Sequence, residues 1–423
     1  MSTGSPYWRQ NLYVCLFGSF TTIVAMTLLL PFLPIYVAQL GVTSQAAIVQ
    51  WSGIAFGSTF LAAGIVAPLW GKLADRYGRK PILIRASLGM AVAMSLIGLA
   101  QNVWQLVALR VLAGLIGGYS SGSMVLVAMQ TPKNRSGWAL GTLSMGVMAG
   151  SLVGPLIGGA LPALIGVRET FFLAGGVIFV AFLATVVFIR EDKVLSPPRQ
   201  PGVKRRGAWA SIPDRRIPIT MLGTAMLVTL ANMSIEPIIT VYVGELMPAG
   251  SNIPLFAGFV MSISALGSIM AAPRMGRLSD RIGGWNVVTA CLAVCGLLLL
   301  PQALVTSGWQ LAALRFLMGL SLGGLLPSIT ALIRHNVPDG VVGTILGYSI
   351  SAQYAGQFLG PVVGGFVGGH LGMRGVFFAT SAIMFLGAAN NFFVAGRYRS
   401  RGTNASAASA AASPTAKAAD IPK

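Results

Sequence analysis

The sequence predicts an all-α integral membrane protein: twelve transmembrane helices in two pseudo-symmetric six-helix halves. Three observations carry this: an apolar composition, apolar runs long enough to cross a bilayer, and an internal repeat at a nearly constant offset. Of 423 residues, 55% are hydrophobic and 9% charged, whereas a soluble domain carries about 25% charged residues. Mean hydropathy is +0.76. The 53 glycines suit helices packed closely in lipid, where small residues let backbones approach. A disordered chain, a disulfide scaffold and a secreted enzyme are all excluded by this arithmetic.

A helix needs about 20 apolar residues to cross about 30 Å of hydrocarbon. Such runs lie at 11–38, 47–70, 82–100, 103–129, 136–163 and 170–190, and again at 218–243, 254–273, 286–306, 309–333, 341–369 and 375–396. The first is too long for a signal-peptide core. The halves are therefore 1–190 and 218–398, joined by a basic, proline-rich linker at 191–217 and followed by an Ala/Ser-rich tail at 399–423 expected to be disordered.

Lysines and arginines orient the spans. With the N-terminus inside, the inner segments hold twenty-five and the outer loops only Arg168 and Arg374. Both termini should face the cytoplasm. The net charge of +19 is thus read as a topology signal rather than a nucleic-acid footprint, and the linker should rest on anionic lipid. Cys15, Cys291 and Cys295 lie within apolar runs and read as packing residues. His335 and His370 are isolated, and no phosphate-binding loop or metal cluster is visible, so neither an enzyme nor a cofactor is expected.

The repeat is specific. Pro68-Leu-Trp-Gly71-Lys-Leu-Ala-Asp75-Arg76 returns as Pro273-Arg-Met-Gly276-Arg-Leu-Ser-Asp280-Arg281, at an offset of 205. Trp104-Gln-Leu with Arg110 and Gly114 returns as Trp309-Gln-Leu with Arg315 and Gly319. Gly150, Gly154-Pro155 and Gly158-Gly159 return as Gly356, Gly360-Pro361 and Gly364-Gly365. Parallel repeats of this kind place a transporter's site at their interface, near mid-membrane.

These residues also resemble a known family. Gly71 to Lys80, with Asp75, Arg76, Gly78 and Arg79, is similar to the signature loop between helices 2 and 3 of the major facilitator superfamily. Leu106, Arg110 and Gly114 resemble its helix 4 motif, and Gly150 to Gly159 the helix 5 motif of its twelve-span drug:proton antiporters. The resemblance implies export of amphipathic small molecules by alternating access, driven by a proton gradient. It also implies a monomer in the bacterial inner membrane. A sugar or organic-acid facilitator of the same fold is the alternative, and a channel or transport-silent receptor is the alternative outside the class.

The resemblance assigns Asp75 and its basic neighbours to a conformational latch, with Asp280 and Arg281 as a degraded copy. Asp75 is expected at a buried edge, and a static, loop-stabilising ion pair is the plainer reading. The glycines of helix 5, with Gly360 and Pro361 in helix 11, are expected to seal one half against the other, or simply to pack. At the inner end of helix 4, where such exporters often carry an acid, this chain has Gln130-Thr-Pro132.

Of ten acidic residues only Glu236 falls within a predicted span. A carboxylate in lipid is costly and marks function by default, although it could instead be a structural partner for an arginine. Glu236, Arg110 and Arg315 are the proton-coupling candidates. A fixed Glu236–Arg315 pair would carry protons poorly; one that opens during the cycle would load and release. Tyr119, Asn232, Gln353, Tyr354 and Gln357 are the expected cavity residues.

Overall fold

The computed structural model describes residues 5–191, Ile212 and residues 215–411, except the side chains of 339–340 and 397–411. Nearly all of the linker therefore lies outside the described residues. The described residues form helices and no strand. Spans 1 to 6 run over Trp8–Gln39, Gln45–Tyr77, Arg79–Ile97, Val103–Gln130, Lys133–Ile165 and Val167–Phe188. Spans 7 to 10 run over Arg216–Leu246, Ile253–Ile282, Gly284–Leu304 and Gly308–Asn336. A last apolar stretch, Val341–Gly396, is 56 residues long. At about 1.5 Å per residue that is far more than one crossing. It divides at Gly372, whose φ of 76° and ψ of 168° are not helical, into spans 11 and 12. The helix of span 12 runs on to Ala411, so disorder from 399 is not what the backbone shows as far as 411. Alanine is the strongest helix former, and this segment is rich in it.

The repeat is visible in the packing. Span 1 lies on span 5 as span 7 lies on span 11, span 2 on span 4 as span 8 on span 10, and span 3 on span 6 as span 9 on span 12. Pro31 and Pro237 each interrupt their span with a 3₁₀ turn, Leu30–Phe32 and Glu236–Ile238, because proline has no N–H to donate and crowds the preceding turn. Beyond each turn a buried tyrosine fixes the bent segment. Tyr36 donates to the Ile97 carbonyl at 2.6 Å, and Tyr242 to the Gln302 carbonyl at 2.8 Å. Each ring also packs on a phenylalanine, Phe171 or Phe377, with centroids 5.2 and 5.0 Å apart.

On the face that carries the N-terminus, the ends of spans 1, 4 and 6 are tied to one another by an uncharged clasp. Asn11 donates to both Gln130 Oε1 and the Arg190 carbonyl, and its own oxygen accepts from the Arg190 backbone N–H at 3.0 Å. Gln130 is thus a buried structural amide that joins three spans.

Candidate functional site

The two halves meet along spans 2 and 11 and along spans 5 and 8. Their contact is concentrated toward the face opposite the termini. A Cβ on Gly53 would run into the Pro361 carbonyl, one on Gly258 into the Pro155 carbonyl, and one on Gly365 would lie 2.9 Å from the Val49 carbonyl. Ser262 of span 8 donates to the Leu152 carbonyl of span 5 at 2.6 Å. Toward the terminus-bearing face the same four spans diverge. A Cβ on Gly71, Gly137, Gly141, Gly276, Gly343 or Gly347 would meet nothing within 4 Å. The halves are sealed at one end and parted at the other.

Between them lies a cavity of about 610 Å³. Its wall is mostly aliphatic, aromatic and thioether, including Met26, Leu30, Phe56, Phe60, Met233 and Met261. About a third of the lining residues are polar, Thr229, Asn232, Gln353 and Gln357 among them, and Glu236 is the single acidic one. Glu236 sits at the start of the 3₁₀ turn in span 7, and its repeat counterpart Leu30, at the start of the turn in span 1, lines the same cavity. The local cause is the proline that follows each of them, which breaks the helix and turns these two positions toward the space between the halves.

Both intramembrane arginines are buried, Arg110 at 0% and Arg315 at 1% exposure. Arg315 interacts electrostatically with Glu236, yet the two form no ion pair within 4 Å; the one such pair among the described residues is Asp75–Arg79. Two guanidinium nitrogens of Arg315 have no hydrogen-bond partner. Arg110 donates from Nε to the Ala55 carbonyl at 3.3 Å, with both Nη atoms unpartnered and its Cζ 5.6 Å from the Phe56 ring centroid. Phe56 thus stands between Arg110 and the cavity, and the two arginines are not brought together with Glu236 as one triad.

Asn232, Gln353 and Gln357 line the cavity, but two expected residues do not. Tyr119 lies inside the first half, where its hydroxyl is 2.7 Å from Thr185 Oγ1 and its ring covers Gly18. It is 1% exposed and belongs to a core cluster with Leu12, Cys15 and Leu143. Tyr354 packs in the seam, its Cβ 3.1 Å from where a Cβ of Gly64 would stand.

The glycines of span 5 also divide differently from expectation. Those at 150, 154 and 158 face span 1 of their own half, where added Cβ atoms would press on Phe20, Ile23, Val24, Thr27 and Leu28. Only Gly159, with the Pro155 carbonyl, touches the other half, at Pro254, Leu255 and Gly258. Gly360 likewise faces span 7 at Leu230, whereas Pro361 faces span 2. A helical glycine repeat of period four lines one face, and here that face belongs to the half itself. The next residue round the helix reaches across.

Asp75 is not at a buried edge: its side chain is 52% exposed and pairs with Arg79 one turn on. Asp280 and Arg281 are exposed too. Gly78, at φ 97°, and its counterpart Gly283, at φ 87°, make the sharp connection that lets the next span turn straight back. The residue that sequence reasoning passed over is Glu191. Its carboxylate accepts from the backbone N–H groups of Arg79 and Lys80 at 2.7 and 2.8 Å, capping the start of span 3 where Gly78 has no side chain to do so. Lys80 Nζ donates in turn to the Val186 carbonyl. The signature loop is therefore tied to the end of span 6. The sequence signals only half of this, a helix start at Arg79 without a local side-chain cap.

Comparison with known proteins agrees with this architecture. The sequence profile of the Major Facilitator Superfamily matches residues 15–249 and 221–420. Multidrug resistance protein MdtG of Proteus mirabilis (strain HI4320) is 41% identical over 379 residues, covering 89% of this chain and 94% of that protein. MdtG of Salmonella typhi is 42% identical over 381 residues, covering 90% and 94%. A bacterial homologue of the human lysosomal transporter Spinster, solved inward-facing and occupied, superposes with a TM-score of 0.75 at 15% identity, over 93% of this chain and 98% of that one. A point mutant of the nucleoside transporter NupG gives 0.73 at 13% identity, over 90% and 99%. These last two are likenesses of fold.

Proposed function

Because the chain belongs to the Major Facilitator Superfamily, we propose that this membrane transporter exports amphipathic small molecules from the cytoplasm in exchange for protons, by alternating access. The observation that carries the reading is the cavity between the halves, apolar over most of its wall and bearing one carboxylate. A sugar site would need convergent hydrogen-bonding groups, whereas a Met- and Phe-rich wall can repack around dissimilar apolar bodies. The curated relatives named as multidrug resistance proteins support the same substrate class.

In this reading the terminus-bearing face is cytoplasmic, as the charge asymmetry of twenty-five to two argues, and the conformation described is open inward. The protein acts as a monomer in the bacterial inner membrane. Glu236 takes a proton from outside, parts from and rejoins Arg315 during the cycle, and releases the proton inside. The repeat counterpart Leu30 cannot share this task, so the proton is handled by one half. The test is a panel of toxic amphipathic compounds against cells overexpressing the protein, with and without a protonophore. Reduced accumulation that the protonophore abolishes is expected. Accumulation unaffected by expression, or efflux indifferent to the protonophore, overturns the proton-driven export.

A further inference from the structure

A second recess lies outside the central cavity, on the apolar flank of the first half. It is a groove of about 740 Å³ between spans 3 and 4, walled by Ile84, Leu88, Val92, Leu112 and Ile116. Leu88 and Val92 are exposed along it, so in a bilayer the groove opens to acyl chains. Its end toward the terminus-bearing face is basic: Lys80 and Arg85 line it, and no acidic residue does.

Arg85 is the unusual member. It lies about 9 Å along span 3 from Arg79, at about 1.5 Å per residue, on the side away from the terminus-bearing face. Its guanidinium stacks on Trp70 with Cζ 3.4 Å from the ring centroid, and Nη2 donates to the Gly117 carbonyl at 3.1 Å. Nε and Nη1 are buried with no hydrogen-bond partner. A guanidinium set against an apolar wall attracts an anion, which a shift of the side chain toward the groove would let these donors meet. Trp70 is itself fixed, donating to the Leu115 carbonyl at 2.8 Å, so Arg85 is held at the mouth of the groove.

We propose that this groove is a binding site for one anionic phospholipid, with its phosphate at Lys80 and Arg85 and an acyl chain lying against Leu88, Val92 and Leu112. Free phosphate would satisfy only the basic end. The apolar wall continues for about two helical turns from Arg85 to Val92 and calls for hydrocarbon. Lys80 and Arg85 follow the sharp turn that Glu191 caps, so the lipid headgroup would sit against the signature loop from the bilayer side.

The test is native mass spectrometry of the full chain released from detergent with phosphatidylglycerol or phosphatidylcholine of matched acyl chains. One phosphatidylglycerol retained in preference to phosphatidylcholine is expected. Arg85→Gln should lower its retention about fivefold, the worth of one basic residue at a membrane surface, with phosphatidylcholine unchanged. Lys80→Gln serves as the second charge variant should Arg85→Gln fail to run as a monodisperse protein. Leu88→Trp keeps both cations but fills the groove, and should also displace the lipid. Equal retention of the two lipids, retention unmoved by the charge variants, retention unmoved by Leu88→Trp, or displacement by millimolar inorganic phosphate alone would each overturn the site.

Discussion

Ser262 and Leu152 belong to different halves and are joined by a hydrogen bond of 2.6 Å, near the end of the seam where glycines and proline carbonyls also touch. The bond holds the two halves together at the face opposite the termini. Under the proposed alternating access it would bias the equilibrium toward the state closed at that face. Removing it with Ser262→Ala costs about 1 kcal/mol, or about a fivefold shift in the ratio of states. Cysteine labelling should report it, increasing for Gln50→Cys at the sealed end and decreasing for Gly276→Cys at the parted end. Unchanged labelling at both would mean the bond forms in both states.

Glu236→Gln removes the only titratable carboxylate of the cavity wall and little volume. We expect it to abolish transport driven by a pH gradient while substrate still binds. Flux assays across a range of imposed gradients, with direct binding alongside, separate these. A variant that keeps its pH dependence would make Glu236 structural.

At the signature loop, Asp75→Asn breaks an exposed pair whose contribution to stability is at most about 1 kcal/mol. Insertion and folding should be preserved while transport falls, and Asp280→Asn, which has no such pair, should do less. Glu191→Gln is expected to weaken the cap on span 3 and lower the melting temperature more than Asp75→Asn does. Thermal unfolding of the three purified variants checks the order.

Gly158 and Gly276 make a contrasting pair. A methyl group on Gly158 would overlap the Leu28 carbonyl, and overpacking of this kind costs about 1–3 kcal/mol. On Gly276 it meets nothing within 4 Å, and alanine favours helix over glycine by about 1 kcal/mol. Thermal stability should fall for Gly158→Ala and hold or rise for Gly276→Ala.

Topology is checked by cysteines placed in the 191–217 linker and the 399–423 tail, which should label only from the cytoplasmic side of the membrane. Labelling from outside would invert the orientation argued from the basic residues.

Much of this was legible in the sequence because the bilayer imposes length and polarity on every span. The repeat gave the pairing of halves, and the isolation of Glu236 among apolar residues pointed to the cavity. Helix facing was less legible. Tyr119 looks like a cavity tyrosine by polarity, yet helix 4 breaks just before it, at Gly117 and Gly118, where Gly118 takes φ 105°. The segment that follows is turned into the first half. The span 5 glycines share one stripe, and no sequence pattern states whether a stripe faces its own half or the other. Glu191 was hidden because its partners are backbone N–H groups more than a hundred residues away.

The clasp of Asn11, Gln130 and Arg190 has a further consequence. Its bonds use two side-chain amides and the backbone of Arg190, and none of them involves a formal charge. A membrane potential does work only on charges it moves, and an amide does not titrate at physiological pH. The clasp is therefore blind to both components of the electrochemical gradient. The clasp ties spans 1, 4 and 6 within the first half, so under the proposed coupling that half would keep its internal packing while the proton acts through Glu236 in the other half. An acid in place of Gln130 would make that tie titratable, and its strength would then follow the local pH.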